Sequence, residues 1–167
     1  MLMDHLILVA MWLFGFVGMI LFIPRKDLRK GFLALMMFQS IIWLCDMFSF
    51  KYGLLSAPIR IFPKATDLAI TINNFFYPVL FSIYYVYKNV VKGLWARFIY
   101  FFVWISIITL FDNAIARYTD LLEYGYLTWY GMWIYIALLF YVSQNLCNWF
   151  FKDESLFTAE RLESNEN

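Results

Sequence analysis

The chain has 167 residues, 63% of them hydrophobic and only 15% charged. An ordinary soluble domain is about half apolar and about a quarter charged, so this composition excludes a water-soluble globule. A net charge of +1 offers no basic face for nucleic acid, and no nucleic-acid partner is expected.

Five long apolar runs carry almost no charge: Leu6–Ile23, Gly31–Phe50, Leu68–Tyr87, Phe98–Phe111 and Tyr126–Phe151. About 20 helical residues cross a hydrocarbon core of roughly 30 Å. In lipid the backbone must satisfy its own hydrogen bonds, so each run predicts a spanning helix. The expected fold class is all-α, a polytopic transmembrane helix bundle of five spans over residues 1–151. The spans are placed at about 6–23, 31–50, 68–87, 94–116 and 126–151. Residues 152–167 form a short acidic tail, polar enough to be disordered.

The first run is not a secretory signal. No Lys or Arg precedes it, and it ends in Phe22-Ile23-Pro24-Arg25-Lys26 without a small-residue cleavage site. It also has no polar stripe, so it is the natural lipid-facing or partner-facing helix. Arg25, Lys26, Arg29 and Lys30 follow it. Lys88, Lys92 and Arg97 share their side of the membrane, as do Lys152 and Arg161. The opposite side holds Lys51, Arg60, Lys64 and Arg117. Nine basic residues against four predict an N-out, C-in chain with the tail in the cytoplasm.

Asp27 is the expected N-cap of the second helix, and Thr66 or Asp67 that of the third. The connection Lys51–Asp67 is long and rather apolar. Pro58 and Pro63 prevent one continuous helix there, and the alternation of Ile59 and Ile61 with Arg60 suits a segment lying flat at the interface. The fourth run has the shortest charge-free core. It completes a crossing as Leu94–Ala116 if Arg97 snorkels and Asp112 reaches the outer interface. Trp95 and Trp149 mark one membrane boundary; Tyr124, Tyr126, Trp129 and Tyr130 mark the other. Cys45 and Cys147 fall at opposite ends, about 20 Å apart in depth, and are expected to remain unpaired thiols.

Polar residues inside the spans are costly and face the bundle interior. Asp46 and Asn74 fall in the outer half, with Asn73 beside them. Asp112 and Asn113 lie at the outer end near Arg60, while Tyr141, Gln144, Asn145 and Asn148 form a stripe in the inner half. Pro78 lacks the N–H that would bond the carbonyl of Asn74, so a kink there would free an oxygen at the depth of Asp46. The candidate polar site is therefore Asp46, Asn73, Asn74, Asp112 and Arg60. Broken helices beside carboxylates build ion sites in transporters, whereas the same residues also serve as plain interhelical hydrogen bonds.

Catalytic signatures are missing. His5 is the only histidine, which excludes a zinc H-E-x-x-H motif and a Ser-His-Asp triad in the spans. There is no C-x-x-C, nucleophile elbow or phosphate-binding glycine loop. The residues predict a non-catalytic protein without cofactor or metal. Two functions remain: a partner-binding or structural membrane module, whose partner would dock on the first helix or the outer loop, and a small ion- or proton-coupled carrier or sensor with its site in the outer half of the bundle.

Three segments carry a resemblance: Phe22-Ile23-Pro24-Arg25, Tyr52-Gly53-Leu54 followed by Pro58-Ile59-Arg60-Ile61-Phe62-Pro63, and Phe76-Tyr77-Pro78. In these the chain resembles, over roughly residues 10–150, an uncharacterised family of small multi-pass membrane proteins of endospore-forming Gram-positive bacteria. The resemblance implies a location in the cytoplasmic (inner) cell membrane of such a bacterium. It carries over no catalytic or binding residue.

Overall fold

The computed structural model describes residues 2–57, 72–88, 90–119, 121–126 and 128–165; side chains are described from Leu6 to Phe151 within these segments, apart from Asn74. The protein is mostly helical. Helix α1 spans Leu2–Phe22, α2 Leu28–Lys51, α3 Tyr77–Tyr87, α4 Leu94–Tyr118 and α5 Trp129–Asn165. A 3-10 turn, Arg25–Asp27, joins α1 to α2, and Asp27 occupies the N-cap position of α2 without a side-chain capping bond. The expected caps Thr66 and Asp67 lie outside the described residues, as do Arg60, Pro58 and Pro63.

Among the described residues, three segments are long and apolar enough to cross a membrane: Arg25–Lys51, Leu94–Tyr118 and Trp129–Phe151. Helix α4 is the most apolar of the three, although its charge-free core is the shortest in sequence. Arg97 completes it by turning back, its Nε donating to the carbonyl of Val91 at 3.0 Å. The apolar stretch Leu6–Phe22 of α1 is shorter. Helix α5 does not stop at Phe151 but runs on to Asn165. Leu, Ala, Glu and Arg are strong helix formers, so Lys152–Asn165 can prolong a helix that is already nucleated.

The core is built around α2, which packs on both α3 and α5. Phe38 of α2 stacks on Phe81 of α3 at 4.7 Å, and Phe140 of α5 meets Phe81 edge-on at 5.1 Å. Small residues let α2 and α3 come close. Gly31 accepts a hydrogen bond of 2.6 Å from the Ser82 hydroxyl, and a Cβ at Gly31 would press on Ile23. In a bilayer such close contact and dispersion drive helix association, because lipid tails are as apolar as leucine. Helix α1 leans on the turn that leads into α3, where Gly15 abuts Phe75 and the Trp12 ring stacks on Phe75 at 4.1 Å.

Two connections meet at one end of the bundle. Leu55 and Ser56 (β1) pair antiparallel with Tyr124 and Glu123 (β2). The pairing is prolonged by Gly125 N–H donating to Leu54 O and Tyr126 N–H to Gly53 O. Gly53 has φ +67°, a left-handed conformation that glycine adopts without steric cost. Leu55, Ala57, Leu121 and Leu122 are all buried beneath this cap. The start of the α2–α3 connection is thus folded onto the bundle, while Ile59, Arg60 and Ile61, expected to lie flat at the interface, are outside the described residues.

Candidate functional site

Asp46 and Asp112 form the centre of a buried polar cluster. Asp46 lies on the face of α2 that also buries Phe38, Ile42 and Ser49, a spacing of three or four residues that keeps it inward. Asp112 shares the inward face of α4 with Ile105, Ile108, Thr109 and Ile115. Both aspartates are 0% exposed. The sequence reading placed Asp112 at the outer interface; the structure puts it in the core, because the β1–β2 cap continues the bundle above it.

Each carboxylate is held by tyrosines. Tyr135 of α5 donates to Asp46 Oδ1 at 2.9 Å. Tyr77, the first residue of α3, donates to Asp112 Oδ1, and Tyr124 of β2 donates to Asp112 Oδ2 at 3.1 Å. The two aspartates lie within electrostatic range of each other. Tyr124, which lies outside the helices, has its phenol pushed upward by burial and then by the adjoining Asp112.

Asn73 completes the cluster. It is 1% exposed and its amide faces the Asp46 carboxylate. Even so, Asp46 Oδ2 and Asn73 Oδ1 make no hydrogen bond with a described residue. Asn73 sits in a π-helical turn, Ile72–Phe76, that leads directly into α3. Pro78 explains this turn. It cannot bond the Asn74 carbonyl four residues back, and the wider i→i+5 winding carries the backbone past the gap. The irregularity takes the form of a bulge, a shape common at functional sites.

Asp46, Asn73 and Asp112 are thereby brought together. Asn74 contributes to the backbone of the π turn, and Arg60 lies outside the described residues. No third His, Cys, Asp or Glu joins the two aspartates among the described residues, so the donor set is two carboxylates, one amide and three phenols. Tyr77, Tyr124 and Tyr135 were not among the candidate residues. One signal for Tyr135 was present: it lies six residues, about 9 Å, inside α5, too deep for an interfacial belt. Tyr124, read as part of such a belt, instead reaches inward. Of the remaining fourth-helix residues, Thr109 is buried, Ser106 accepts from the Trp133 indole at 3.2 Å, and Asn113 is exposed.

The polar stripe of α5 at the other end of the bundle makes different contacts. Tyr84 donates to Gln144 Oε1 at 2.5 Å, and Tyr85 to Asn148 Oδ1 at 3.2 Å. Cys147 lies there with its sulfur 3.5 Å from that of Met37, while Cys45 sits next to Asp46. Both thiols are free.

No family model, curated protein or solved structure matches this chain.

Proposed function

We propose that the protein is a non-catalytic, five-span membrane protein that binds a proton or a small monovalent cation between Asp46 and Asp112, as a small carrier or sensor. One observation carries this reading: two fully buried carboxylates, Asp46 and Asp112, lie within electrostatic range of each other, and Asp46 Oδ2 and Asn73 Oδ1 lack partners among the described residues. A lone acidic charge deep in a membrane helix costs about 2.5–3.5 kcal/mol on insertion scales. Tyrosine hydroxyls ease that cost but carry no positive charge. A proton or a cation held by oxygen donors removes it.

The reading includes an N-out, C-in topology, supported by the nine-to-four basic asymmetry. It also includes the cytoplasmic membrane of an endospore-forming Gram-positive bacterium, supported by the sequence resemblance. A partner-binding module is the second reading. It is favoured by the outward row Leu6, Leu13, Ile20 and Leu21 of α1, all more than half exposed. The bilayer itself can cover that row, whereas it cannot neutralise the aspartates.

The test is thermal melting of the full-length protein in nanodiscs, between pH 5 and 8, in sodium, potassium or choline chloride. Protons or one alkali cation should raise the melting temperature, and Asp46→Asn and Asp112→Asn should each remove that response. A response unchanged in both variants would refute the site.

A further inference from the structure

A second polar feature lies at the end of the bundle opposite the carboxylates. Helix α3 ends at Tyr87 and α4 begins at Leu94. Beside their junction, α5 closes an open cavity of about 470 Å³, within the range of roughly 300–1,000 Å³ usual for small-molecule sites. Lys88 and Arg97 line it together with Tyr84, Tyr100, Gln144 and Asn148.

The cations here are positioned but not neutralised. Lys88 Nζ donates to Asn148 Oδ1 and lies 4.0 Å from the centre of the Tyr85 ring. Lys30 of α2 approaches the same ring at 5.4 Å. The bond from Arg97 Nε to Val91 leaves both terminal nitrogens of the guanidinium without a described partner. Burial, and then repulsion from Lys30, pushes the Lys88 ammonium down to about 8; Arg97 adds to this and Cys147 opposes it, and no carboxylate among the described residues acts on it. Neutral oxygens orient these cations and no described acidic group balances them, so the cavity is suited to an anion.

The walls narrow the choice of anion. Tyr84 and Tyr100 stack at 5.3 Å and line one side. Phe98, which also lines the cavity, belongs to the exposed apolar face of α4 together with Leu94, Trp95 and Ile99. A polar head beside the basic residues can therefore continue into a chain lying along that face. Guanidinium groups recognise phosphate oxygens in a bidentate manner, with an ammonium as an added point charge. Basic pockets between membrane helices take lipid headgroups in this way. We propose that this cavity binds an anionic phosphoester through Lys88 and Arg97, with the headgroup of an anionic phospholipid as its source. The lipid source rests on the membrane reading; the phosphoester chemistry does not.

To test this, full-length protein in neutral detergent is titrated separately with short-chain phosphatidylglycerol, short-chain phosphatidylcholine and glycerol 3-phosphate. The shift of the thermal melt is the readout. Phosphatidylglycerol should bind more tightly than the zwitterionic lipid. Lys88→Gln and Arg97→Gln should each weaken it about tenfold, the factor of one charge-assisted contact. Lys92→Gln, which removes an exposed basic residue outside the cavity, should not. Arg97→Gln removes only one described hydrogen bond, so it still tests the site if Lys88→Gln lowers the melt without ligand. A shift by glycerol 3-phosphate alone, lost in Arg97→Gln, would keep the phosphoester site and overturn its lipid source. No shift with any of the three, or equal weakening by Lys92→Gln, would overturn the proposal.

Discussion

The Tyr135 hydroxyl of α5 donates to Asp46 of α2 at 2.9 Å, joining residues 89 positions apart inside the bundle. It is the hydrogen bond that fixes one carboxylate oxygen while the other remains open. Tyr135→Phe deletes the donor and keeps the ring. A buried acceptor left unsatisfied costs about 1–3 kcal/mol. Thermal or denaturant unfolding in nanodiscs should show a loss of that size, and Tyr135→Phe combined with Asp46→Leu should recover part of it. No loss in the single variant would mean that the bond contributes nothing to stability.

Gly125→Ala should be damaging although it adds one methyl at the surface end of the bundle. A Cβ at this position would overlap the carbonyl oxygen of Gly53, which is backbone and cannot swing aside. The Gly125–Leu54 and Tyr126–Gly53 hydrogen bonds must then open. Overpacking of this kind costs about 1–3 kcal/mol. Gly93→Ala provides the comparison: it strains its own backbone at φ 93°, but nothing lies within 4 Å of a Cβ there, so no neighbour is displaced. Gly125→Ala should expose the Leu54–Leu55 segment to limited proteolysis, and Gly93→Ala should not.

Lys88 predicts a pH dependence of definite sign. Its native-state value of about 8 lies below the ordinary lysine value of 10.5. Between these two, the unfolded chain binds more protons than the native one, so stability rises with pH. Below about 8 the penalty is fully present. Melting in uncharged lipid should therefore climb from pH 8 to 9.5, before tyrosines ionise. Lys88→Gln should flatten the climb relative to wild type over the same window. An identical slope in both proteins would show that Lys88 is not the source.

The proposed topology is open to a direct measurement. A cytoplasm-dependent fluorescent reporter fused after Asn167 should be active, and a periplasm- or exterior-dependent phosphatase at the same point should be silent. The opposite pattern would reverse the orientation or change the number of crossings.

Helical character was legible because apolar runs of this length have few other ways to satisfy their backbone. The three polar residues that the structure gathers were legible too. Asp46, Asn73 and Asp112 are each expensive in an apolar helix, and expense of that kind directs a side chain inward. Their partners were harder to read. A tyrosine suits an interface and a core equally well, and only depth separates the two, so Tyr135 gave a usable signal and Tyr124 gave none. The β1–β2 pairing left no periodic trace, since two paired residues per strand are too few to alternate visibly. Asp112 was consequently assigned to the interface, for lack of anything in the sequence that announced a cap above it. Pro78 signalled a break, but not that the break would be absorbed as one wide turn.

The two-residue ladder between β1 and β2 also makes its end of the bundle mechanically single. The connection leaving α2 and the one entering α5 are fastened together, and Tyr124 on the second is fastened in turn to Asp112. A force that lifts the ladder would draw the phenol from the carboxylate and leave Asp112 Oδ2 without that donor. Anything that grips this small latch from outside, such as an antibody fragment, would have a lever on an aspartate it never touches.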